Sequence, residues 1–225
     1  MNLPFFSSPT KLNVTDFVRA VRRRLEQKCG LAGGKSILFV HDDEIPLLAW
    51  LAEQSRVGIV EIGCLYGGST ALILENKNYS VPFTSIDPFV PDSMGKENAG
   101  GEKQALRNIA AYAGPLDKHK FRLIADYSYH VSPGWNQPID LLWLDGDHEY
   151  DGVKRDFEEW RGFVASGGRI ALHDSRRPQV SNIPESEYDR GWPGPTTLAN
   201  EIRTGHSAEF FVEMEVGSIV VFQKK

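Results

Sequence analysis

Two groups of acids and histidines stand close together in the second half of the chain. Leu144-Asp145-Gly146-Asp147-His148 closes one apolar run, and Ile170-Ala171-Leu172-His173-Asp174 closes another. Neighbouring parallel strands lie ~4.8 Å apart, so side chains at two adjacent strand ends can meet on one ion or one reacting group. Two chemistries fit these residue types. Asp145, His173 and Asp174 offer two hard oxygens and an imidazole to a divalent cation, a set that suits Mg²⁺ and, through the imidazole, Mn²⁺. His148 titrates near neutral pH and suits removal of a hydroxyl proton, with Asp145 beside it. Plainer roles stay open: Asp147 as the cap of a helix starting near Tyr150, and His173 as a hydrogen-bonding support for the acids. His41, His119, His130 and His206 fall in loops or at element ends and read as surface residues.

A third candidate lies upstream. Val60-Glu61-Ile62-Gly63-Cys64-Leu65-Tyr66-Gly67-Gly68-Ser69-Thr70 follows a β-branched run and opens a helical stretch. Glycines permit a tight turn and a close ligand approach, and a helix N-terminus points free N–H groups at that ligand. The spacing is not that of a dinucleotide fingerprint. Glu61 is an acid inside an apolar strand, where burial demands a partner. The next run, FTSID, ends in Asp87, placed to take the two hydroxyls of a ribose. Cys64 reads as a small filler, since no histidine neighbours it in sequence.

The elements that must position these groups alternate. Strands are expected at 57–63, 83–87, 121–126, 139–145 and 169–174. Helices are expected at 13–28, 42–55, 68–76, 102–113, 151–165 and 196–203. In the first helix Asn13 or Thr15 is the expected cap, and its arginines read as a solvated face. Asp42 or Asp43 is the expected cap of the second. Val153, Phe157, Trp160 and Val164 form the core face of the helix after His148. Such alternation predicts an α/β fold with a mostly parallel sheet covered on both faces. Residues 208–216 and 218–223 have no helix between them, so they predict an antiparallel hairpin at one edge. Residues 1–40 read as an N-terminal helical segment and 41–225 as the main domain. The long loop 175–195, with Arg176, Arg177, Tyr188, Arg190 and Trp192, begins beside Asp174 and is expected to cover the acceptor.

Composition narrows the classes. Over 225 residues, 25 Lys and Arg face 30 Asp and Glu, a formal charge of −5. That balance disfavours a nucleic acid as main partner. Two cysteines rule out a disulfide framework or a Cys-rich zinc site. No apolar run approaches the ~20 residues of a membrane span, and no signal peptide is evident, so a cytoplasmic protein is expected.

Glu61-Ile62-Gly63, Gly67-Gly68-Ser69-Thr70, Asp87, Asp126, the 144–148 stretch and Gly167-Gly168-Arg169-Ile170-Ala171-Leu172-His173-Asp174 resemble class I S-adenosylmethionine-dependent methyltransferases. Within that class they are most similar to metal-dependent O-methyltransferases acting on sugars and glycosylated natural products. The resemblance spans residues 40 to 223. It implies a Rossmann-like seven-stranded sheet whose last strand is antiparallel. It implies that Glu61, Gly63 and Gly67 line the methionine part of S-adenosylmethionine, with Tyr66, Ser69 and Asp145 also in the cofactor site. Asp87 would bind the ribose, and Asp126 with Tyr127 the adenine. It also implies acidic cation ligands at Asp145 and Asp174, a departure from the usual acid at His173, and a general base at His148. The expected partner is a small-molecule acceptor, and the N-terminal helical segment is a candidate for contacts in a homo-oligomer. An NAD-dependent oxidoreductase is the alternative, sharing the glycine-rich turn and Asp87 but lacking the fingerprint glycines.

Overall fold

The computed structural model describes residues 13–29, 37–90, 101–175 and 191–225. Helix α1 (Val14–Cys29) and α2 (Ile45–Gln54) precede strand β1 (Ile59–Ile62). Then follow α3 (Gly68–Asn76), β2 (Phe83–Ile86), α4 (Gly101–Ala113), β3 (Phe121–Ile124), the single turn α5 (Ser128–Val131) and β4 (Ile139–Leu144). The chain closes with α6 (Tyr150–Trp160), β5 (Val164–Leu172), α7 (Pro193–Glu201), β6 (Phe210–Val216) and β7 (Ile219–Lys224). The seven strands form one sheet in the order β3-β2-β1-β4-β5-β7-β6. β1 to β5 pair in parallel, whereas β7 pairs antiparallel with both β5 and β6. This is the expected doubly wound α/β sheet with a terminal hairpin.

Burial follows position in the sheet. Every residue of β1 and β2 is buried, whereas β3, on the edge, is half-buried. One apolar layer joins α2, α3 and α4 to the sheet through Leu48, Leu51, Leu72 and Ile109. The other joins α6 and α7 through Phe157, Trp160 and Leu198. Val18, Val21 and Leu25 of α1 belong to the first layer. No helix of the described residues is long and apolar enough to cross a membrane.

Four local expectations are corrected. α6 ends at Trp160, and Val164 begins β5, because the pairing shifts register between Ile139 and Leu141 and draws the preceding residues into the strand. The cap of α2 is neither Asp42 nor Asp43: Glu44 holds that place, and its side chain turns inward. The arginines of α1 are not all solvated. Arg22 donates to the Leu38 and Val40 carbonyls and to Asp42, and Arg24 to Glu75 and the Tyr112 carbonyl. At the start of α1, Asn13 accepts the Thr15 N–H at 3.2 Å, as a cap should. His119 is buried against Tyr79 rather than exposed.

Candidate active site

Strand register brings the chemistry together. Ile62, Leu144 and Leu172 are paired across β1, β4 and β5, so the residues after them, Gly63, Asp145 and His173, stand side by side. Asp87 follows Ile86 of β2 at the same edge. Gly63 has φ +96°, and a Cβ there would overlap the Asp145 carbonyl, so only glycine permits this approach. A cavity of about 670 Å³ opens above these strand ends. Gly63, Ser69, Asp87, Tyr127, Asp145, His148, His173 and Asp174 all line it.

The other expected residues lie off the cavity wall. Glu61 sits beneath the glycine loop, 0% exposed, and accepts hydrogen bonds at 2.6 Å from Ser69, Thr70 and Ser85. Burial pushes its carboxyl up to about 7, against the pull of the three hydroxyls. Its visible task is to fasten the loop to β2. Gly67 caps α3 in the left-handed region. Tyr66 stacks on Phe39 with ring centres 6.1 Å apart. Asp126 turns outward to the His130 ring at 2.8 Å. Cys64, by contrast, lines the cavity; it is buried, its sulfur 3.3 Å from the Thr70 hydroxyl, and burial pushes its thiol up.

Asp87 organises the loop from the other side. One carboxylate oxygen accepts the N–H groups of Cys64 and Leu65 at 2.8 and 2.7 Å, and the other that of Phe89 at 2.6 Å. Oδ1, with a single bond, keeps a further lone pair for a ligand hydroxyl.

At the opposite wall two histidines interleave with carboxylates. His148 Nε2 lies 3.2 Å from Asp174 Oδ2, and its ring meets Trp192 at 5.4 Å. Burial opposes its charged form, but the Asp174 bond and the charges of Asp145 and Asp174 prevail and hold it above its ordinary value. Asp174 itself, despite burial, is held far below the usual carboxylate range by His148 and His173. It also has φ +51°, a conformation uncommon for a residue with a side chain and enriched at functional sites.

His173 is 4% exposed. Its Nδ1 lies 2.9 Å from Asp145 Oδ1 and its Nε2 3.2 Å from Glu44 Oε2. Burial lowers its affinity for a proton, but the surrounding carboxylates raise it well above the ordinary value, so both nitrogens donate at neutral pH. Among the described residues, the ligand atoms that gather within 4.8 Å of one another belong to Asp145, His148 and Asp174. His148 thus stands where the sequence reading placed His173.

Glu44 escaped the sequence reading. It is 0% exposed and also accepts the His41 N–H at 2.8 Å and the Ser218 N–H, in the β6–β7 turn, at 2.5 Å. Burial alone would raise its carboxyl, but these partners and His173 hold it down to about 2. The only sequence signal was an acid at the start of an otherwise apolar helix. His41, expected at the surface, lines the cavity. Asp147 accepts the Glu149 N–H at 2.9 Å just before α6, close to its expected capping place. Of the 175–195 loop, Ser175 and residues 191–195 are described. Arg176, Arg177, Tyr188 and Arg190 lie outside the described residues, and Trp192 lines the cavity.

Comparison with known proteins agrees with this fold. An uncharacterized protein of Acanthamoeba polyphaga mimivirus is 30% identical over 132 residues, 56% of this chain and 55% of the relative. The chain thus spans about half the length of the curated relative it matches. The O-methyltransferase NovP superposes with a TM-score of 0.67 at 13% identity, covering 95% of this chain and all of NovP. The O-methyltransferase TomG of Streptomyces achromogenes, solved with S-adenosylmethionine, superposes at 0.58 and 16% identity over 92% of this chain and 89% of its own. A family model described as a methyltransferase domain matches residues 60–175, from the glycine loop through the second acid–histidine group. With that match over half its length, and with this sheet, the chain belongs to the methyltransferase-domain family.

Proposed function

We propose that the protein transfers a methyl group from S-adenosylmethionine to a hydroxyl oxygen of a small molecule, a sugar or glycosylated natural product. The observation that carries this reading is the single cavity shared by the Asp87-braced glycine loop and by His148 held on Asp174. Its size suits a nucleoside donor with a small acceptor. The nicotinamide alternative has no support from the family match.

S-adenosylmethionine, when bound, supplies a methyl group on a sulfonium that departs as a neutral thioether. The residues of the chain do the rest. Asp87 takes a ribose hydroxyl with the remaining lone pair on Oδ1. The glycine loop, fastened by Glu61, lets the backbone approach the methionine part. With its Nε2–H donating to Asp174, His148 accepts the hydroxyl proton on Nδ1 while the acceptor oxygen forms its bond to carbon and the sulfur–carbon bond breaks. Asp174 then carries the counter-charge of the imidazolium. Holding both reactants in one geometry supplies most of the rate, and Trp192 shields the His148 side from water.

A second reading rests on the gathering of Asp145, His148 and Asp174. Two oxygens and one imidazole fit Mg²⁺ or Mn²⁺. A bound cation would lower the pKa of the acceptor hydroxyl. His173 serves such a site by orienting Asp145, since both its nitrogens face carboxylates. The test is methyl transfer from labelled S-adenosylmethionine to a panel of glycosides, alongside calorimetry with S-adenosylhomocysteine. Absence of binding heat at millimolar ligand would overturn the reading.

A further inference from the structure

A second wall of the cavity is built from Tyr127, Ser128 and Tyr129 after β3 and from Gly152, Arg155 and Asp156 of α6. Asp156 is 7% exposed, yet it lines the space. Its Oδ1 accepts the Ser128 hydroxyl. Its Oδ2 accepts no hydrogen bond from the described residues and lies 3.6 Å from where a Cβ on Gly146 would be. The missing side chain at Gly146 leaves room beside that oxygen.

A carboxyl this buried is costly unless something donates to it. Burial, then the charges of Asp147 and Glu159, push Asp156 up to about 7. Arg155 does not pair with it: the guanidinium lies over the Tyr129 ring, 4.8 Å from its centre. Tyr127 and Tyr129 stack at 5.0 Å and give the wall a flat aromatic lining. Asp126, the acid expected to meet the base, faces His130 instead. If Asp87 takes the ribose and the reactive carbon faces His148, the base is left to this wall.

We propose that Asp156, positioned by Ser128, reads the base of the bound nucleoside by accepting a hydrogen bond from its exocyclic amino group. The site then favours a 6-amino purine over the 6-oxo form. This rests on the reading of the cavity as an S-adenosylmethionine site. The test is calorimetric titration at pH 8.5, where the Asp156 carboxyl is ionised, of the wild-type protein, Asp156→Asn and Ser128→Ala with S-adenosylhomocysteine and its 6-oxo analogue S-inosylhomocysteine, with circular dichroism melts as a folding control. Wild type should prefer the amino form by about 10- to 100-fold, the range for a hydrogen bond to a charged group. In Asp156→Asn the amide oxygen keeps the Ser128 bond and the NH₂ faces the cavity, where it donates to a 6-oxo group. The preference should then fall to within about threefold or reverse. Ser128→Ala should lower it less.

An equal affinity of the wild type for both ligands overturns the proposal without any variant. So does a wild-type preference retained in Asp156→Asn. In both cases S-adenosylhomocysteine still binds, and the methyltransferase reading stands. Binding of neither ligand by the wild type overturns that reading and this one with it.

Discussion

Glu44→Gln should destabilise the fold by about 3 kcal/mol at pH 7, and the deficit should shrink in acid. The carboxyl titrates at about 2 in the folded protein against 4.5 for a free glutamate, a gap corresponding to roughly 3 kcal/mol. Removing one partner of a buried pair leads to a similar figure, about 3–5 kcal/mol, because His173 would keep a buried charge facing an amide. Because the folded value is the lower one, the contribution is full above pH 4.5 and is lost as pH falls toward 2. About half or more of it should be gone at pH 3. The assay is urea unfolding followed by tryptophan fluorescence, wild type and variant in parallel, at pH 7, 5, 4 and 3. A deficit under about 1 kcal/mol at pH 7, or one that stays flat from pH 5 to pH 3, would refute the idea that a charged Glu44 clamps His173 and Ser218.

Asp87→Ala should weaken S-adenosylhomocysteine binding by about 1.5–3 kcal/mol in calorimetry, and unchanged affinity would remove Asp87 from the site. His148→Gln should leave S-adenosylmethionine affinity nearly intact and lower kcat by about 10²–10⁴. The wild-type rate should rise with pH through an apparent value above 6.5, since the base acts in its neutral form and its neighbours hold the proton. The variant should lack that limb, and activity within about threefold of wild type would reject the base. Chelation separates the two readings of the acid–histidine wall: full turnover in EDTA, with the protein shown free of metal, leaves His148 to act alone, whereas abolition reversed by Mg²⁺ or Mn²⁺ assigns Asp145, His148 and Asp174 to a cation.

The parts legible in the sequence are those set by local pattern. The β-branched runs located β1 to β5, and the absence of a helix between 216 and 218 located the hairpin. Glu61 was legible because an acid in an apolar strand must find donors, and it finds three hydroxyls. Glu44 was not, because its partners His173 and Ser218 lie 129 and 174 residues away. His173 stayed open between cation ligand and hydrogen-bonding support for the same reason: its two carboxylate partners, one of them the cap of α2, are distant in sequence. The start of β5 was hidden by Val164, whose burial satisfies a helical period and a strand alike. Asp156 neighbours Phe157 on a helix read for its apolar face, and only the packing of α6 beside α5 reveals what it faces.

The Glu44 clamp also bears on the order in which the molecule assembles. The bonds that brace the glycine loop close short stretches of chain, 8, 9 and 24 residues from Glu61. Those made by Glu44 close stretches of 129 and 174 residues. Closing a long stretch is entropically harder, and contacts distant in sequence form late. The glycine loop with its Asp87 brace can therefore take shape on a growing chain once β2 is paired. The reacting half waits until the final hairpin docks against β5 and delivers Ser218 to Glu44. A chain interrupted before β7 would keep the residues for cradling a donor while lacking the backbone group that steadies the buried imidazole.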